Sequence, residues 1–164
     1  MTGQDFERAL VHALNDHALL YKINLIAYRR IQTRYQRQLF DVLVDSEHEE
    51  FYMALECKSI DASKDKTLNF RQHFHVSKGV HQLNLEYDWL ALGGRHGFLV
   101  VELRNFPSRR STCYFLPFGY VYGEFSIGRP SLSVDDIVEF PSCVKQCGKY
   151  IFDDQLMQHV LSQE

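Results

Sequence analysis

The chain has 164 residues, 45% of them hydrophobic and 24% charged, with twelve Phe and nine Tyr; this excludes a disordered chain and suits one domain with a real core. A formal net charge of −3 excludes a uniformly basic nucleic-acid binder. No run of about 18 apolar residues occurs, and the start MTGQDFERAL carries no signal-peptide pattern, so the expectation is a cytoplasmic protein without a membrane span.

In chain order, GQDFERALVHALNDHALL predicts an amphipathic helix, since Phe6, Leu10, Val11, Leu14 and Leu19 recur at three- and four-residue steps, with Glu7 on the margin of that face. KINLIAYRRI reads as a strand and QTRYQRQ as a polar segment. Together they hold Lys22, Arg29, Arg30, Arg34 and Arg37, interleaved with Tyr28 and Tyr35 and without an acidic residue. A basic tract of this kind attracts phosphates, and it fits a solvated face equally well.

LFDVLVDS and FYMALECKSI predict two strands joined by the charged turn EHEE, in the manner of a hairpin. The polar stretch DASKDKTLNFRQHFHVSKG reads as a long loop. GVHQLNLEYDWLALGG predicts a helix with a stripe of Val80, Leu83, Tyr87, Leu90 and Ala91, ended by Gly93 and Gly94. GFLVVELRN and TCYFLPFGYV follow as strands joined by FPSRRS. SVDDIVEF reads as a short helix capped by Ser133, and FDDQLMQHVLSQ as a closing helix. The expected order is α-β-β-β-α-β-β-α-α in one α/β domain over residues 1–164. Cys143 and Cys147 are spaced C-x3-C, but no histidine pair completes a zinc pattern, so all four cysteines are expected as free thiols.

The chemistry lies in FYMALECKSID. Residues two apart on a strand share a face, so Glu56 and Lys58 point one way while Leu55 and Cys57 point into the core. If the preceding strand is a neighbour, Asp41 converges with Glu56, and two close carboxylates call for a divalent cation. Oxygen ligands of this number suit Mg²⁺ or Mn²⁺. Lys58 then orients a water or stabilises charge on a phosphate under attack. The bland account of Glu-x-Lys is a surface ion pair on an edge strand. The apolar strand before it, the aspartate on the previous strand and the polar loop after it favour a site.

Asp41 followed by Glu56-Cys57-Lys58 resembles the PD-(D/E)XK nuclease superfamily, and more narrowly the Holliday junction resolvases of the bacterial RecU type and archaeal Hjc type. GQDFERALVHAL is similar to the first helix of that group, which maps Glu7 onto the helix glutamate that joins the metal site. ALECKS, the polar stretch with Thr67, Phe70 and Phe74, and VHQLNLEYDWLALGGRHGFLVV are similar to the RecU pattern, which places His81 and Gln82 at its His-Gln positions. TCYFLPF takes the place of the final strand. The likeness covers residues 3–120 and leaves 121–164 as a C-terminal extension of unassigned role. Two departures stand out: Phe40 replaces the proline before Asp41, and the basic charge usual in resolvases is missing.

The resemblance implies a restriction-endonuclease-like mixed β-sheet flanked by helices. It further implies a metal-dependent DNA endonuclease, acting as a homodimer that makes paired symmetric nicks in four-way junctions. Glu7, Asp41 and Glu56 would hold Mg²⁺ or Mn²⁺, with Lys58 and Gln82 completing the catalytic set. Arg29, Arg30, Arg34, Arg37 and His81 are the expected DNA contacts. Two rival expectations are another nuclease of the superfamily (repair, restriction or exonuclease) and a DNA-binding or assembly module without cleavage. Trp89 is expected in the core and Asp45, His73 and His75 as solvated groups, while Arg109 and Arg110 fit a tip that enters a groove and a solvated turn equally well.

Overall fold

The computed structural model describes residues 2–36 and 38–163. Helix α1 (Gly3–Tyr21) opens the chain, followed by β1 (Leu25–Arg29), β2 (Val42–Ser46), a short 3-10 turn (Glu49–Phe51) and β3 (Met53–Asp61). The stretch expected to be a loop instead holds three small elements, β4 (Thr67–Asn69), α2 (Phe70–His73) and β5 (Val76–Ser77), and β6 (Val80–His81) takes the start of the expected helix. Then come α3 (Gln82–Gly93), β7 (His96–Arg104), β8 (Ser111–Pro117), α4 (Phe118–Ser126), β9 (Ser131–Ser133), α5 (Val134–Ile137), β10 (Ser142–Val144) and α6 (Asp154–Leu161).

The main sheet has six strands in the order β1-β2-β3-β7-β8-β10. Every neighbouring pair is antiparallel except β3 and β7, which run parallel with Glu56 opposite Leu99 and Lys58 opposite Val101. A parallel pair needs a crossover, and the segment from β4 to α3 supplies it. Two small sheets, β4-β9 and β5-β6, sit beside the main one.

Strand alternation divides the core in two. Val42, Val44, Met53, Leu55, Cys57, Phe98 and Val100 point to one face and pack against Phe6, Leu10 and Leu14 of α1 and Met157 and Val160 of α6. Leu43, Ala54, Ile60, Leu99, Val101 and Leu103 point to the other, against Phe70, Leu83, Phe118 and Val121. Each such side chain taken from water contributes about 1.5–3 kcal/mol. The result is the mixed sheet with helices on both faces that was expected.

Three details depart from expectation. Leu19 is 81% exposed, because the apolar stripe of α1 runs through Phe6, Leu10, Leu14 and Ala18 instead. The strand TCYFLPFGYV stops at Pro117, and its last four residues begin α4. The inward face of α3 is Gln82, Leu83 and Glu86, while Tyr87 is exposed. A polar inward face on a helix marks a place where something other than core is being built.

The segment after Val121 touches both faces. β10 extends the sheet and α6 closes the first face. β9 pairs with β4, setting Leu132 opposite Leu68. Beneath it, Glu102 of β7 is fully buried, accepting hydrogen bonds from Ser59 Oγ at 2.8 Å and Tyr150 Oη at 2.6 Å. Ser133 caps α5 as expected, its Oγ accepting from the Asp136 N–H.

Candidate active site

β3 delivers Glu56 and Lys58 to the second face of the sheet, and Cys57 to the first, where its thiol is buried and its pKa is pushed well up by burial. Glu56 is 2% exposed. Its Oε1 accepts from Lys58 Nζ at 2.5 Å and from Gln82 Nε2 at 2.9 Å. The Lys58 ammonium also lies 4.7 Å above the centre of the Phe74 ring. Burial works against that charge, but the Glu56 and Asp41 carboxylates outweigh it and the lysine pKa is raised. Lys58 is therefore an ammonium throughout the neutral range, a charge donor rather than a proton acceptor.

Asp41 enters from the residue before β2. The β2-β3 ladder ends at Val42 and Leu55, and the side chain of Asp41 takes over, its Oδ2 accepting from the Cys57 N–H at 2.8 Å. Its backbone bridges both neighbours, with N–H donating to Leu55 O and carbonyl accepting from Arg30 N–H. Burial first, and the Glu56 carboxylate second, push the Asp41 pKa up to about 7, against the pull of Lys58 and the Cys57 N–H. Phe40, just before it, lies at φ 61° with its ring fully buried against Trp89 and Phe118. Proline is fixed near φ −65°, so the motif proline cannot occupy this turn.

Gln82 opens α3. Its Nε2 donates to Glu56 and, at 2.8 Å, to Oε1 of Glu86; its own Oε1 accepts from the His75 N–H at 3.3 Å. Two acceptors on one side and a donor on the other fix the amide orientation. Glu86 is fully buried, its second oxygen has no donor, and burial and Glu56 raise its pKa well above the ordinary carboxyl value. Burial and the Glu56 charge therefore favour the protonated form of this carboxyl. Glu86 was not foreseen, although the signal was there: position 86 lies one helical turn after 82 and shares its face.

Asp41, Glu56, Lys58 and Gln82 open on a cleft of about 510 Å³ that Arg71, Gln72, His73 and His75 also line. Glu7 is not among its lining residues. Its charge is felt at Asp41, but its Oε2 is held by Arg29 through Nε and Nη2, both at 2.8 Å. Arg30 turns inward, donating to Leu39 O at 2.7 Å and to Gln38, with its guanidinium over Trp89. Arg34 is exposed, and Arg37 lies outside the described residues. His81 uses both ring nitrogens within the fold: Nδ1 accepts from the Leu83 N–H and Nε2 pairs with Phe70 O, while the ring stacks on Phe125.

Among the described residues no set of three His, Cys, Asp or Glu side chains is arranged to hold a metal ion. The pair Asp41 and Glu56 suits a hard divalent cation on two grounds. Its donors are carboxylate oxygens, and after burial it is the Glu56 charge that raises the Asp41 pKa, a repulsion that a cation would relieve.

No protein-family model matches the chain, and no curated relative matches its sequence. Among solved structures it is similar to Archaeoglobus fulgidus Hjc, described as a Holliday junction resolvase from an archaeal hyperthermophile. The TM-score is 0.49 at 15% identity, covering 93% of this chain and 96% of that one. No helix among the described residues is long and apolar enough to cross a membrane.

Proposed function

We propose that the chain is a divalent-metal-dependent DNA endonuclease that resolves four-way junctions. The observation that carries this reading is the opening of Asp41, Glu56 and Lys58 onto one cleft, with Asp41 buried beside the Glu56 carboxylate and the lysine held as an ammonium. Asp41 and Glu56 would hold Mg²⁺ or Mn²⁺, with Glu7 as the third carboxylate and Arg29 exchanging it for a DNA phosphate. When bound, the metal supplies Lewis-acid charge and a water of lowered pKa. Gln82 fixes the rotamer of Glu56, and Lys58 places its charge where the phosphate oxygens gain negative charge during attack. Arg34 and Arg37 would meet the DNA backbone. Junction preference and the homodimer that pairs two cuts are the parts of the proposal supported by the order of motifs in the sequence.

The test incubates four-way junctions, linear duplex and single strands with Mg²⁺ or with EDTA. Symmetric paired nicks in the junction, absent in EDTA, are expected. Degradation of linear DNA without paired nicks would assign a different nuclease, and binding without any cleavage a non-enzymatic module. Glu56→Gln should abolish cleavage, a loss of at least about a hundredfold, and leave junction binding within about twofold. A variant cutting at the wild-type rate removes Glu56 from the site.

A further inference from the structure

Part of the lining of the cleft is made by α2, a single turn. It is held more firmly than a loop tip. Asn69 Oδ1 accepts from the N–H groups of Arg71 and Gln72, at 2.9 and 3.1 Å. The Phe70 N–H donates to Pro130 O and its carbonyl meets His81 Nε2 at 3.2 Å. Phe70 is 2% exposed, with Phe125 edge-on at 5.7 Å and Phe74 at 6.2 Å. A turn fastened at its cap, its carbonyl and its aromatic anchor presents its remaining side chains in a fixed direction.

Those side chains are Arg71, Gln72 and His73, all lining the cleft. Arg71 is exposed, and among the described residues its guanidinium has no partner. His73 is half-buried with an uneven ring: Nδ1 is buried without a partner, whereas Nε2 is not. A buried N–H without an acceptor costs more than a buried lone pair, so the proton belongs on Nε2, facing the cleft as a donor. Burial and the charge of Lys58 both lower the pKa of this imidazole, with Asp65 opposing them. The neutral ring thus keeps its Nε2–H at neutral pH. The cleft is thus lined both by carboxylates and, from α2, by a guanidinium and an imidazole N–H that carry no negative charge.

We infer that α2 is a phosphate-binding element, in which the Arg71 guanidinium and His73 Nε2–H take non-bridging oxygens of the nucleic-acid backbone lying in the cleft. The inference rests on the nuclease reading and extends it to the residues that seat the substrate. Arg71 and His73 are positioning residues: they hold the chain of phosphates against Lys58 and take no part in bond breaking.

Arg71→Ala, His73→Ala and His73→Gln test this, with equal thermal unfolding midpoints as the folding control. Binding of a fluorescein-labelled four-way junction is measured in EDTA over a salt series, and multiple-turnover cleavage in Mg²⁺. Arg71→Ala should weaken binding roughly tenfold and reduce the salt slope by about one. His73→Ala should weaken it about threefold to tenfold, and His73→Gln, whose amide also donates, should restore affinity to within about twofold. In cleavage, KM should rise with kcat within about twofold of wild type. If wild type cuts DNA while both alanine variants keep its affinity and salt slope, the assignment of α2 is wrong and the nuclease reading stands. If wild type neither binds nor cuts any of these DNAs, the nuclease reading falls and the α2 assignment falls with it.

Discussion

A carboxyl group in water releases its proton near pH 4, whereas Asp41 keeps its proton up to about 7, through burial and the neighbouring Glu56. In the interval between, the folded chain binds a proton that the unfolded chain has already released. Stability is then present at low pH and is lost as pH rises from about 4 to about 7. Glu86 acts in the same direction. Thermal melts in EDTA should show this decline, and Asp41→Asn should flatten it. A divalent cation relieves the same charge, so Mg²⁺ should raise Tm more at about pH 8 than at about pH 5. Equal shifts at both pH values would show that the cation does not bind at Asp41. Asp41, Glu56 and Lys58 were legible in the sequence because strand alternation is a strict period of two. The raised pKa of Asp41 was not, since it depends on how deeply two strands and a helix bury the group.

α3 packs on β7 through Gly97. A Cβ there would collide with Leu90 Cδ1 and come within 3.0 Å of Phe118 Cβ. Gly97→Ala should therefore cost about 1–3 kcal/mol and shift α3, which carries both Gln82 and Glu86. Cleavage should drop further than stability alone accounts for. A drop in Tm with unchanged kcat would mean that α3 absorbs the methyl without moving its first turn. The long elements were legible from periodicity: α1, β2, β3, α3, β7, β8 and α6 all carry clear apolar patterns. What escaped were the nine-residue α4, whose first turn reads as the end of a strand, and pieces of two to four residues, such as β4, α2 and β9. Their pairing partners lie more than sixty positions apart in some cases, as with Leu68 and Leu132, and no local pattern encodes that. The stripe assigned to α3 was misplaced for a different reason. It assumed that an inward face is apolar, and here that face serves the cleft.

At the scale of the molecule, the last forty or so residues belong to both layers of the fold. Tyr150 donates to the buried Glu102, Phe152 packs on Phe115, and Leu132 fills the second layer beside Phe70. A chain ending at Val121 would leave Glu102 without the Tyr150 hydroxyl and the Lys145 ammonium, and both layers open. It should show no cooperative thermal transition by circular dichroism, while the full chain melts in one step. A cooperative melt of the shortened chain would make residues 1–121 a folding unit on their own. A net charge of −3 also has a consequence at this scale. Binding of a polyanion must rely on donors gathered in one place, so the salt dependence should be shallow, with a slope of about −0.9 for each phosphate met.

The pairing of β9 with β4 separates two jobs along the chain. Asp41, Glu56 and Lys58 are fixed by the central strands, but the direction in which α2 faces is set from the far end, through Leu132, Pro130 and Phe125. Changes in that distant stretch can tilt or retract one side of the cleft without touching a reacting group. The chain therefore has a part that can be retuned for the shape of what enters and a part that must stay constant for what is done to it, and the two are inherited on separate stretches of sequence.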